Sequence, residues 1–68
     1  MDPLETLYEA LQHPLGLVIS VENPVAFRTK LYTTMRQNAD VNVFSIHISR
    51  TAPSTELVIL RKETSDGL

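Results

Sequence analysis

The absence of cysteine from a chain of only 68 residues most limits how this protein can be stabilised. A domain of this length buries only about 60% of the surface that its unfolded chain exposes, so its own core gives little stability. Proteins this small commonly add disulfides, a metal or a second subunit. Without cysteine there is no disulfide, and the commonest zinc sites are excluded. The sequence therefore favours association with another chain, and we predict a homo-oligomer.

The composition is that of a globular protein, with 43% hydrophobic and 21% charged residues. We predict a single α/β domain over residues 1–63 and a flexible C-terminal tail over residues 64–68. No apolar run approaches the length of a membrane span, and the first residues do not read as a signal peptide. These features predict a cytoplasmic protein with no membrane association.

The formal net charge of −2 argues against extensive binding to nucleic acid, which normally needs many lysines and arginines. The charges are nevertheless unevenly distributed. Residues 1–23 contain four carboxylates and no lysine or arginine. Residues 24–50 contain four basic residues against Asp40 alone, namely Arg28, Lys30, Arg36 and Arg50. This asymmetry suits a local electrostatic contact, although a solvated surface would explain it equally well.

Two short motifs, Asp2-Pro3 and Asn23-Pro24, each place a capping residue before a proline, which is typical of a helix start. We predict helices over residues 3–12 and 24–38. The first helix has one apolar stripe, formed by Leu4, Leu7, Tyr8 and Leu11. The second helix has an apolar face formed by Pro24, Phe27, Leu31 and Met35.

Three segments rich in β-branched residues, residues 15–21, 41–49 and 56–62, predict strands. The element order is therefore α-β-α-β-β, an α+β fold with a three-stranded sheet. A right-handed β-α-β crossover joins the first two strands, and the last two form a C-terminal hairpin. One arrangement places the third strand between the others and antiparallel to both, and an order with the first strand beside the second stays open.

One helix can cover only one face of such a sheet, whereas apolar residues occur on both faces. Depending on register, the second face carries several of Val18, Phe44, Ile46, Val58 and Leu60. Leaving four such side chains in water would reduce the stability by roughly 1.5–3 kcal/mol for each side chain. The first helix or a second copy of the chain is therefore predicted to cover this face. The predicted helix-packing or oligomer residues are Leu7, Leu11, Phe44, Ile46, Val58 and Leu60.

Catalytic and metal-binding patterns are not evident. His13 and His47 lack the additional ligands of a zinc site at a useful spacing. Ser45 and His47 share a strand side, but residues two apart on a strand do not reliably touch, and no turn presents the serine. The two glycines form no phosphate-binding loop. We predict a protein that is not an enzyme and has no cofactor and no metal.

The most specific surface feature is a line of residues at four-residue spacing on the second helix, Arg28, Tyr32 and Arg36. Two guanidinium groups beside an aromatic ring can bind phosphate or carboxylate and stack on a base. Alternatively, Tyr32 completes the edge of the core and the arginine stems cover it. With Lys30 adding positive charge nearby, these four residues are the predicted partner-binding set, for a protein or, as the alternative, a nucleic acid.

Several short sequence motifs resemble those of small proteins encoded by bacteriophages and prophages. They are the run Pro14–Ile19, Asn23-Pro24, the helix positions Phe27, Arg28, Leu31, Tyr32 and Arg36, and Ser49 and Pro53 followed by the run Glu56–Lys62. The chain departs from that pattern at Met35, where a basic residue is usual, and at Val58, where tryptophan is common. The resemblance covers residues 14–62 and implies no activity. It suggests an accessory protein that binds a host or phage protein in the host cytoplasm.

Overall fold

The computed structural model describes residues 2–62, so the predicted tail lies outside the described residues. The predicted α+β fold and its element order are confirmed. Two helices, α1 and α2, and three strands, β1 to β3, are joined by short loops and one 3-10 turn. Their bounds are α1 Pro3–Leu11, β1 Leu17–Ser20, α2 Pro24–Gln37, the 3-10 turn Ala39–Val41, β2 Phe44–Ile48 and β3 Glu56–Arg61.

Both helices begin at the prolines identified in the sequence, and each is capped by the residue before its proline. The Asp2 carboxylate accepts a hydrogen bond from the Leu4 amide at 3.1 Å. The Asn23 side-chain oxygen accepts one from the Ala26 amide at 3.2 Å. These bonds satisfy amides that have no partner within the helix.

The strands are shorter than the apolar patterns predicted. Val41 is buried in the 3-10 turn rather than in a strand. Leu15 precedes β1 and is 96% exposed. Gly16, between Leu15 and β1, has a φ of 120°, which side-chain-bearing residues rarely adopt. A Cβ at this position would lie 2.7 Å from Cδ2 of Leu60, a side-chain end that can shift, so the backbone conformation is the main reason for glycine.

The sheet has the order β1-β3-β2, with β3 antiparallel to both neighbours. The alternative order, with the first strand beside the second, is therefore wrong. Because both outer strands are antiparallel to β3, they run parallel to each other. The segment that contains α2 is the predicted crossover between them. Its right-handed sense stays a prediction.

Both helices pack on the same face of the sheet. Leu7 of α1 and Leu31 of α2 belong to one buried cluster with Leu57 and Ile59 of β3. The proposal that the first helix covers the second sheet face is therefore wrong. The remaining members of this core are Ala10, Met35, Val41, Phe44 and Ile46.

The six residues predicted to form one packing face lie on both sides of the sheet. Leu7, Phe44 and Ile46 are buried beneath the helices, and Leu11 packs against this core. Val58 and Leu60 face the opposite side. The register explains the correction, because Ile46 lies opposite Ile59 and therefore shares its face, whereas Val58 points away.

Candidate functional site

The face of the sheet that neither α1 nor α2 covers is a candidate interaction surface, and we call it the open face. Its apolar centre consists of Val18, which is 57% exposed, Leu60, which is 38% exposed, and the half-buried Val58. Val18 and Val58 are paired directly across β1 and β3. The open face comprises Val18, Ser20, Ser45, His47, Glu56, Val58 and Leu60. It therefore combines an apolar centre with polar side chains.

Ser45 and His47, which the sequence did not predict to touch, are in contact on the open face. The serine hydroxyl and Nε2 of the imidazole lie 2.8 Å apart. His47 is exposed and lies opposite Val58, and Ser45 lies opposite Leu60. The pair therefore forms a polar border to the apolar centre, able to donate and accept hydrogen bonds.

This contact has two of the three groups of a nucleophilic triad. An activated serine also needs an acid that orients the histidine. The nearby carboxylate Glu56 instead accepts a hydrogen bond from Ser49 at 3.4 Å. Ser49 is buried, and its oxygen also accepts the Ala52 amide at 3.1 Å. Ser49 and Glu56 thus organise the β2–β3 loop rather than the Ser45–His47 pair.

Tyr32, the aromatic member of the predicted partner-binding set, connects α2 to the outer edge of β2. Its hydroxyl accepts the Ile46 amide at 3.1 Å and donates to the Ile46 carbonyl at 3.3 Å. The ring is half-buried and packs against the core. Tyr32 therefore has the packing role that the sequence left as one alternative.

The basic members of the partner-binding set lie on two sides of α2. Arg28 and Arg36 follow the Tyr32 edge, beside β2, and the Arg36 guanidinium donates to the Thr33 hydroxyl at 3.4 Å. Lys30 is exposed on the other side of the helix, where it lines a groove beside β1. The structure therefore does not bring all four predicted residues together.

The groove beside β1 has a volume of about 400 Å³ and is open to solvent. It runs between the end of β1 and the first turns of α2. Phe27 and Ala26 contribute its apolar wall, and Lys30 and Glu22 contribute charges of opposite sign. Its complete lining is Ser20, Val21, Glu22, Asn23, Ala26, Phe27 and Lys30.

Tyr8 was predicted to belong to the apolar stripe of the first helix, but it points away from the core and is 44% exposed. Its hydroxyl donates a hydrogen bond to the Asp40 carboxylate at 3.0 Å, which links α1 to the 3-10 turn. That hydrogen bond and the negative charge of Asp40 raise the pKa of Tyr8 above the ordinary 10.0. Thr6 and Ala10 are buried on α1 with Leu7 instead.

We expect Asp40→Asn to lower the pKa of Tyr8 towards its ordinary value, because the substitution removes the charge that disfavours tyrosinate. The pKa is raised in the folded state, so this contact stabilises the fold at pH 10 and below. Its contribution is lost as the pH rises through the folded pKa. The chemical shift of the Tyr8 ring carbon bonded to oxygen, followed by NMR during an alkaline titration, measures the effect. An unchanged titration in Asp40→Asn would contradict the assigned cause.

Sequence reasoning did not find the Tyr8–Asp40 bond, the Ser45–His47 contact or the groove. The first pair is separated by 32 positions, and no local pattern marks it. The Ser45–His47 spacing was visible, but their contact depends on the rotamers that the sheet surface allows.

Residues 2–62 contain no cluster of three or more histidine or acidic side chains placed to hold a metal ion. In the same part of the chain, neither helix combines the length and the apolar character needed to cross a bilayer.

Comparisons with known proteins identify no relative: no family model, no curated protein and no solved structure matches the chain. The resemblance to phage-encoded proteins therefore stays a prediction from short motifs.

Proposed function

We propose that this chain is a non-enzymatic protein-interaction module that acts as an oligomer and binds a protein through its open face. The supporting observation is that Val18, Val58 and Leu60 form an apolar centre on the sheet face that neither helix covers. Burying an apolar side chain is the main favourable term in protein association. The Ser45–His47 pair beside this centre supplies polar contacts of the kind found at the rim of an interface.

A protein suits the open face better than a nucleic acid does. The seven residues of the open face include one carboxylate, Glu56, and no lysine or arginine, and Lys62, which continues the ladder opposite Val43, adds one cation at the end of the face. It therefore lacks the several cations that nucleic-acid phosphates require. An apolar centre with neutral polar neighbours suits a protein surface of similar composition.

Site-specific crosslinking tests the open face directly. We expect a photoreactive phenylalanine derivative in place of Leu60 to form a discrete protein adduct when the cells that naturally make this protein are irradiated. The same derivative in place of Glu9, an exposed residue of α1 on the helix side, is the matched control. Mass spectrometry identifies the adduct, which can be another protein or a second copy.

Two outcomes of this experiment would contradict the proposal. One is that position 60 gives no adduct, and the other is that both positions give equal amounts of adduct. An adduct that nuclease removes would favour nucleic acid as the partner.

A nucleic-acid-binding accessory protein is the second candidate function, supported by the basic residues of α2. Arg28 and Arg36 lie along one side of the helix and Lys30 lies on the other. If they bind phosphates, affinity for a labelled oligonucleotide should fall steeply between about 50 and 200 mM salt. Arg28→Ala/Arg36→Ala should then weaken binding. No oligonucleotide binding at the lower salt concentration would exclude this function.

Phage origin, a host or phage protein as the partner and action in the host cytoplasm complete the proposal. They derive from the motifs in residues 14–62 and from the sequence composition. Finding the gene outside phage or prophage genomes would contradict the origin without affecting the open face.

A further inference from the structure

The outer edge of β1 presents backbone groups that no strand within residues 2–62 pairs. The Val21 amide donates to the Thr55 carbonyl at 2.8 Å, so alternate residues of this segment face β3. The amides and carbonyls of Val18 and Ser20, offset by one residue, therefore face outwards. β1 is the last strand on its side of the sheet within residues 2–62.

The two outer edges of the sheet differ in how they are protected. On β2 the Tyr32 hydroxyl occupies both the amide and the carbonyl of Ile46. β1 has the sequence Leu-Val-Ile-Ser, with no lysine or proline to discourage pairing. Only the β1 edge is therefore suited to accept another strand along its length.

We propose that β1 pairs antiparallel with β1 of a second copy, joining two three-stranded sheets into one six-stranded sheet. This inference rests on the proposed function, which calls for a protein as the partner. It identifies the protein that binds at β1 as a second copy of the chain. In the register that places Val18 opposite Ser20 of the second copy, the outward groups of both residues are satisfied. About four backbone hydrogen bonds then cross the interface.

The charges near β1 are compatible with this pairing. β1 itself is uncharged, and Glu22 lies just beyond its end. In the proposed register, Glu22 lies opposite Gly16 of the second copy. The two Glu22 residues are then six strand positions apart, about 20 Å. Antiparallel self-pairing therefore keeps the two Glu22 carboxylates apart.

The same register gives the most exposed apolar residue a place to pack. Leu15, which is 96% exposed and lies just before β1, comes near the end of β1 of the second copy, which leads into Asn23. Asn23 lies at the groove whose apolar wall is formed by Ala26 and Phe27. A twofold axis normal to the sheet repeats this contact and keeps both open faces on one side. The two Val18 side chains then join these faces into one continuous surface.

Amide hydrogen exchange, measured by NMR with light scattering on the same samples, tests the pairing. We expect dimers and, at high protein concentration, at least about tenfold slower exchange of the Val18 and Ser20 amides. The Ile19 amide, which faces β3, should exchange slowly at every concentration. Monomers at all concentrations, or dimers whose Val18 and Ser20 amides exchange rapidly, would overturn the proposal.

Two substitutions at one position separate edge pairing from contact through side chains. Ser20→Pro removes an outward amide without removing a bond to β3, and proline is tolerated on edge strands. We expect it to give a folded monomer, whereas Ser20→Ala keeps the amide and should remain dimeric. If Ser20→Pro does not fold, amide hydrogen exchange in the unmodified protein still tests the pairing. A Ser20→Pro dimer as tight as that of Ser20→Ala would overturn the proposal.

These measurements distinguish the proposed edge from the proposed function. A crosslinked protein at position 60 together with unprotected Val18 and Ser20 amides would refute the pairing and support the interaction module. Protected edge amides without any adduct at position 60 would support the pairing and refute the role of the open face.

Discussion

Leu57→Ala is expected to remove a large part of the free energy of unfolding at 25 °C, whereas Leu60→Ala is expected to remove little of it. Both leucines belong to β3, but Leu57 is fully buried beneath the helices and Leu60 is 38% exposed on the open face. Replacing a buried leucine by alanine costs about 2–5 kcal/mol. A domain this small has a free energy of unfolding of about 5 kcal/mol, so only about 0–3 kcal/mol would remain.

Urea unfolding followed by circular dichroism measures the difference between these two variants. Leu60→Ala removes the same atoms from the same strand, and we expect it to cost about 1 kcal/mol because its side chain is already partly in water. Equal losses of stability would mean that the two faces of β3 do not differ in burial. A larger loss of stability in Leu60→Ala than in Leu57→Ala would mean that the core lies on the opposite side of the sheet.

Tyr32→Phe is expected to lower the free energy of unfolding by about 1–3 kcal/mol, because it leaves the amide and carbonyl of Ile46 without their hydroxyl partner. The same change should speed the exchange of the Ile46 amide. Tyr8→Phe is the matched control, since it removes an exposed hydroxyl bonded to Asp40. We expect it to change stability much less than Tyr32→Phe does, because the Tyr8 hydroxyl is exposed.

The comparison of Tyr32→Phe with Tyr8→Phe tests whether Tyr32 acts through packing and through protection of the β2 edge. A Tyr32→Phe variant no less stable than Tyr8→Phe would contradict the role of its hydroxyl. If β1 pairs with a second copy, Tyr32→Phe should also form larger assemblies, because it unblocks the remaining edge of the six-stranded sheet. Light scattering on the variant measures this consequence.

The two proposed surfaces have complementary roles. Pairing through β1 would supply the second subunit that a short chain without disulfides is expected to use. It would also double the apolar centre of the open face, which in one copy contains Val18, Val58 and Leu60. A larger continuous surface is better suited to a specific protein partner than a single small one.

The local sequence was sufficient for the helices and for the order of elements. Asp2-Pro3 and Asn23-Pro24 predict the helix starts because a capping side chain and a proline act on the backbone next to them. The spacing of Leu31 and Met35 likewise predicts the buried face of α2, since helical periodicity is a property of the segment itself. The strand ends were less accurate, because Gly16 and the 3-10 turn interrupt apolar runs that otherwise read as extended.

Tertiary structure decided the faces of the sheet and the role of the candidate residues. Phe44 and Ile46 lie under the helices only because β2 pairs with β3 in a register that places Ile46 opposite Ile59. Tyr32 is bound to a backbone 14 positions away rather than displayed for a partner. Strand register and packing depend on contacts between distant parts of the chain, and a change of one residue in register reverses every side chain. The sequence alone therefore determined which elements form, and their packing determined which surfaces remain for binding.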